Sequence, residues 1–187
     1  MSKSCLVLAA ALALAAGCAS TAPNYQTPIA NVNAAGNLPG SLSVGRFELE
    51  KGRESELNSV QARGVAFSSP VNGSYADYIA QAAASDLKAA GKLDPSAPLA
   101  LTGTVRKNDL SAAGINTNDA EITVEFRLKD ASGTRYEKTL TAHDEWESAF
   151  LGGIAIPRAI QNWVGTVQAL LRKLYEDADF ARATAPK

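Results

Sequence analysis

The 187-residue sequence has one histidine, two cysteines and no excess of either charge, with 18 Lys and Arg against 19 Asp and Glu. Each shortage excludes something. Without a basic stripe there is no electrostatic footprint for nucleic acid, and none is expected as a partner. Two cysteines cannot build a disulfide framework or a thiolate zinc site, and a single histidine leaves no His pair for catalysis or metal binding. Apolar residues nevertheless make up 46% of the chain, too many for a wholly disordered protein.

The first twenty residues read as an address. Met1-Ser2-Lys3 is a short, weakly positive start, and Cys5 to Ala16 is an unbroken apolar run of twelve residues. As a helix, such a run covers only about 18 Å of a hydrocarbon core about 30 Å thick. It therefore reads as the hydrophobic region of a secretory signal over residues 1–17 and not as a membrane span. Ala15-Ala16-Gly17-Cys18 follows.

Small residues ahead of a cysteine resemble the lipobox of bacterial lipoproteins. The usual large aliphatic residue three places before the cysteine is Ala15 here, with Leu14 one place earlier. The resemblance implies cleavage before Cys18, an S-diacylglycerol and an N-acyl group on that residue, and no other cofactor. It also implies attachment to the membrane through the lipid. Ala19, in place of the Asp that signals inner-membrane retention, implies the outer membrane with the domain facing the periplasm. Removal of residues 1–17 takes Lys3 and Cys5 away, leaving 17 basic against 19 acidic residues. An ordinary signal peptide leaving Cys18 as a free thiol is the plainer alternative, but an unpaired thiol is a liability in an oxidising compartment.

Residues 18–40 then read as the lipidated cysteine and a flexible tether. The stretch is rich in Ser, Thr, Asn, Pro and Gly, has no apolar period, and ends on the turn signal Leu38-Pro39-Gly40. Residues 41–187 are of a size for one domain. Leu42 to Leu49 is a first strand whose apolar parity switches beside Gly45, the mark of a bulge. Lys51 to Ser59 reads as an exposed loop. Leu99, Leu101, Gly103 and Val105 alternate as a second convincing strand. Ile122, Val124, Phe126 and Leu128 alternate as a third, and Asp130 to Gly133 turns into a fourth carrying Tyr136, Leu140 and Ala142.

Two helices supply the cover. Ser74 caps a helix whose stripe runs through Tyr75, Tyr78, Ile79, Ala82, Ala83 and Leu87, with Gly91 as its stop. A second starts at about Pro157 and carries Ile160, Trp163, Val164, Val167, Leu170, Leu171, Leu174 and Tyr175 at helical spacing. The order β-α-β-β-β-α gives an α+β two-layer sandwich: a four-stranded, mostly antiparallel sheet with both helices on one face. Lipobox, polar tether and a domain of this plan are similar to small proteobacterial outer-membrane lipoproteins. Among these are the YajG-type lipoproteins, the lipoprotein partner of the lipopolysaccharide translocon and the auxiliary lipoproteins of lipid-transporting ABC systems.

Candidate sites are few. His143-Asp144-Glu145-Trp146-Glu147 is the densest polar group, but neighbours in a strand face opposite ways, and it reads as a solvated strand end. Glu121, Glu125, Arg127, Arg135 and Glu137 read as cross-strand pairs on a wet sheet face. The Phe150-Leu151-Gly152-Gly153-Ile154-Ala155-Ile156-Pro157 run reads first as an apolar connection tucked against the core. Its sharper reading joins Trp146, Phe150, Ile154 and Ile156 in an exposed patch for a partner. No catalytic or metal site is expected, and the expected function is a non-catalytic, lipid-anchored envelope accessory acting through an envelope protein partner. The alternatives are a lipid or glycolipid transport accessory, which needs an apolar cavity, and a periplasmic hydrolase, which needs a polar cluster that the sequence does not offer.

Overall fold

The computed structural model describes residues 20–114 and 116–186. Four strands form the principal sheet: β2 (Ser43–Leu49), β5 (Ala100–Ser111), β6 (Thr117–Asp130) and β7 (Gly133–Glu147), in that spatial order. β2 runs parallel to β5 and the remaining pairs are antiparallel. Two long helices pack on the sheet, α3 (Tyr75–Ala89) against β2 and α4 (Gly152–Glu176) against β6 and β7. The order β-α-β-β-β-α of the main layers is the expected one. A smaller sheet of β1 (Ser20–Thr21), β4 (Val65–Ser68) and β3 (Val60–Ala62) sits beside it, with short helices α1 (Ile29–Gly36), α2 (Glu54–Leu57) and α5 (Ala178–Ala183).

The local chemistry explains each boundary. Ser74 accepts a hydrogen bond from the Asp77 amide at the start of α3, satisfying one of the free N–H groups of its first turn. The helix stops at Gly91, whose φ of +67° suits a residue without a Cβ, and Lys92 N donates to Leu87 O at 2.7 Å. The parity switch in β2 is a register shift between Val44 and Phe47. Opposite it, Gly103 leaves the room that the Phe47 ring fills; a Cβ there would meet that ring at 2.5 Å. Leu101, Val105, Ile122, Val124, Phe126 and Leu128 are fully buried under Trp163, Val167, Leu170, Leu171 and Leu174 of α4.

Three expectations need correction. Residues 20–40 are not a tether: β1 pairs with β4, α1 packs on α3 and α4, and Ala22, Asn31, Ala35 and Leu38 are buried. The stretch looks polar because, Leu38 apart, its buried residues are small or amide-bearing, and the Asn31 amide nitrogen finds its acceptors inside. Cys18 and the signal segment lie outside the described residues. Lys51 to Ser59 contains α2, with Leu57 buried. Finally, α4 begins at Gly152, with Pro157 inside it. The i−4 partner that proline cannot bond is the carbonyl of Gly153, an exposed residue near the helix start whose carbonyl is open to solvent.

Candidate interaction surfaces

The outer face of the principal sheet is a lattice of fixed charges. Arg106 reaches Glu50 and Glu125 at 2.5 Å each, Arg127 pairs with Glu125 and with Glu137 at 3.0 Å, and Lys107 pairs with Glu121 at 3.0 Å. Arg53 and Arg106 hold the Glu50 carboxyl below its usual range by hydrogen bonding. These are the cross-strand pairs expected of Glu121, Glu125, Arg127 and Glu137. Arg135 pairs across to Asp130 of β6 at 3.9 Å and also donates to Ala185 O. His143 lies 4.0 Å from Glu121 on the outer face, and Asp144 projects to the opposite side. Among the described residues no group of three or more His, Cys, Asp or Glu is arranged to hold a metal, and no helix is long and apolar enough to cross a membrane.

The space between helices and sheet is filled. Phe126, Trp163, Val167 and Leu171 have no exposure. The larger cavities open at the surface instead. One of about 600 Å³ is lined by charged residues such as Arg53, Glu56, Arg106 and Asp109, and one of about 570 Å³ lies at the far end between Pro98, Ala131, Arg135 and Pro186.

The proposed patch is only partly assembled. Phe150 is 90% exposed, and Leu151 and Ile154 are 62% and 56% exposed. Trp146 does not join them: it faces inward on β7 and is buried. Strand alternation decides this, since Tyr136, Ala142 and Trp146 share one parity. Ile156 is half-buried against the core. What stands out from the surface is a short apolar tip, residues 150–154, where β7 hands over to α4.

Arg63 fixes that tip. It occupies the left-handed region at φ +50° in the turn between β3 and β4 and is followed by Gly64 at φ +80°. Its guanidinium donates to Phe150 O at 3.0 Å, Ala149 O at 2.7 Å, Ser148 Oγ at 3.0 Å and Ala112 O at 3.4 Å. Ser148 Oγ in turn donates to Gly114 O at 2.7 Å. A planar donor fork meeting several carbonyls sets the loop's shape. No sequence pattern signals this contact, because Arg63 sits in a stretch without period.

A buried polar cluster clamps the N-terminal segment. Asp86 of α3 has no exposure and accepts from Tyr25 Oη at 2.9 Å and Asn31 Nδ2 at 2.8 Å. Asn31 Nδ2 also donates to Gln168 O, while Tyr78 Oη donates to Pro23 O and Gln168 Nε2 to Gln26 O. Burial raises the Asp86 pKa, and the bonds from Asn31 and Tyr25 pull partly against that rise. The Tyr25 hydroxyl is pushed well above its usual range by burial first and by Asp86 second, so it stays a donor.

A raised pKa means that the folded state binds the proton more tightly than the unfolded chain. The associated stability is complete below the ordinary value of 3.8 and is lost as pH rises through the raised one. Thermal unfolding scanned from about pH 4 to about pH 7 is therefore expected to show this decline in the native chain, and Asp86→Asn is expected to flatten it. An unchanged slope in Asp86→Asn would assign the decline to other groups.

No family model matches the chain, and no curated protein does. Among solved structures, a Xanthomonas campestris protein of family DUF330 superposes with a TM-score of 0.52 at 16% identity, covering 84% of this chain and 91% of that one. A putative lipoprotein from Caulobacter crescentus gives 0.44 at 22% identity, covering 73% and 98%. A minor lipoprotein from Acinetobacter baumannii gives 0.38 at 15% identity, covering 78% and 94%. At these identities the likeness to the Xanthomonas protein is one of fold: the chain shares its α+β architecture with a DUF330 protein.

Proposed function

We propose that this chain is a non-catalytic envelope lipoprotein, anchored through S-diacylglycerol and an N-acyl group on Cys18. In this reading it sits in the outer membrane, faces the periplasm and acts as an assembly or binding accessory. One observation carries it: an apolar run too short to span a bilayer ends in Ala16-Gly17-Cys18, and Ser20, two residues later, is already paired with β4 of the folded domain. The titratable groups of the outer sheet face support a non-catalytic role, because they are engaged with one another in ion pairs across the strands.

The same face is the surface this reading offers to an envelope protein partner. Its helices lie on the other side, and its charge lattice has the fixed geometry that electrostatic complementarity uses. An acyl chain between helices and sheet, as a lipid-transport role would need, has to displace Trp163 and Phe126 from a filled interior.

Replacing Cys18 with Ala is expected to move the protein from the membrane fraction to the soluble fraction, and mass spectrometry of the native chain is expected to find a triacylated Cys18 as the mature start. Unchanged sedimentation of the variant, or an unmodified start downstream, would overturn the anchor.

A further inference from the structure

We propose that the Phe150–Leu151–Ile154 tip inserts into the same bilayer that holds the Cys18 lipid, giving the domain a second contact that fixes its orientation on the membrane. The inference rests on the anchored reading of Cys18 and adds where the domain touches lipid.

The exposed apolar surface is concentrated. Of the four large hydrophobic residues exposed among the described residues, three are Phe150, Leu151 and Ile154. They fall within Ala149 to Pro157, nine consecutive residues without a charge. A bilayer interface accepts such a projection, because it takes up apolar side chains and has no need of matching hydrogen bonds from them. Part of the backbone there is already held before any contact is made. Arg63 takes the carbonyls of Ala149 and Phe150, and the amides of Ile154 and Ala155 bond to Leu151 O within the first turn of α4. A fixed tip gives up little conformational freedom on insertion.

Chain direction and reach put the anchor at the same end. β1 runs parallel to β4 with Ser20 opposite Phe67 and Thr21 opposite Ser68. Traced upstream, the chain therefore enters β1 from the side of the β3–β4 turn, and that turn carries Arg63, which is bonded to the Phe150 carbonyl. Cys18 precedes Ser20 by two residues, which span at most about 7 Å. With residues 20–40 packed onto the domain, there is no long spacer to let the lipid attach elsewhere. The lipid and the tip thus approach the membrane together, and the β6–β7 hairpin at Ala131 points away from it, about 40 Å along the strands.

The test uses the full chain, processed in cells and reconstituted in vesicles of phosphatidylethanolamine and phosphatidylglycerol. With Cys5 removed and Cys18 acylated, Phe150→Cys or Ala131→Cys supplies a single thiol for a nitroxide label. The ratio of collisions with oxygen to collisions with a water-soluble nickel chelate is expected to exceed one at position 150 and to fall below one at 131. A water-like ratio at 150 on a protein whose Cys18 is acylated overturns the insertion and leaves the anchor standing. A label at 150 shielded from both reagents, with or without lipid, also overturns it, because another protein or a second copy then covers the tip. An unacylated Cys18 removes the anchor and the inference together.

Discussion

A Val167→Asp chain is expected to show no cooperative unfolding transition and to be recovered as aggregated or unfolded protein. Val167 lies in the middle of α4, has no exposure, and belongs to the stripe from Ile160 to Tyr175 that covers β6 and β7. The substitution removes the apolar burial of the valine, about 2 kcal/mol. It also places a carboxylate in a filled interior, which costs several kcal/mol more, whether it stays charged or takes up a proton there. Set against a total stability of about 5 to 15 kcal/mol, that loss is large enough to unfold the domain. Arg172→Asp is the matching control: it also places an aspartate on α4, but at an exposed position, and is expected to change stability by less than about 1 kcal/mol. Circular dichroism during heating reads both. A Val167→Asp protein that melts cooperatively at the native temperature would show that this face of α4 is not core.

That stripe is where the sequence was most legible. Its apolar residues repeat at 3.6-residue spacing over four turns, and the same kind of regularity gave the alternation of β6 and the two-residue turn before Gly133. Periodicity reports which side of an element faces away from water, so it fails where the inward residue is polar or the period breaks. Asp86 and Asn31 are inward residues that a hydrophobic pattern does not count, and residues 20–40 read as a spacer because their packing runs through them. Trp146 departs from expectation for a different reason. Sequence nearness groups it with Phe150, although β7 still alternates at 146 and has ended before 150. Arg63 acts through backbone carbonyls more than eighty residues away, a contact with no sequence signature at either end. Of the expected patch, Phe150 and Ile154 stand at the surface and Trp146 does not.

The register shift in β5 leads to the second large effect. Up to Val105 the odd-numbered residues face the core; after the shift between Val105 and Lys107 the even ones do, which turns Asn108 inward. Trp163 of α4 meets it there. The indole has no exposure, donates from Nε1 to Asn108 Oδ1 at 2.9 Å, and packs edge-on to Tyr75 with centroids 5.0 Å apart. Asn108 Nδ2 continues the chain to Leu57 O at 2.8 Å, tying α4, β5 and α2 together. Trp163→Ala is expected to cost about 4 kcal/mol from lost contacts and the cavity left behind. Leaving the Asn108 oxygen unpaired adds about 1 to 3 kcal/mol. For a domain of this length the sum corresponds to a fall in melting temperature of about 10 °C or more. Trp163→Phe separates the two contributions, since it retains most of the ring packing and loses the N–H donor, and it is expected to fall between the native protein and Trp163→Ala. Differential scanning calorimetry of the three proteins decides the matter: a Trp163→Phe melt equal to that of Trp163→Ala would put the stabilisation in the Trp163–Asn108–Leu57 chain, and native-like melts for both would remove Trp163 from the core.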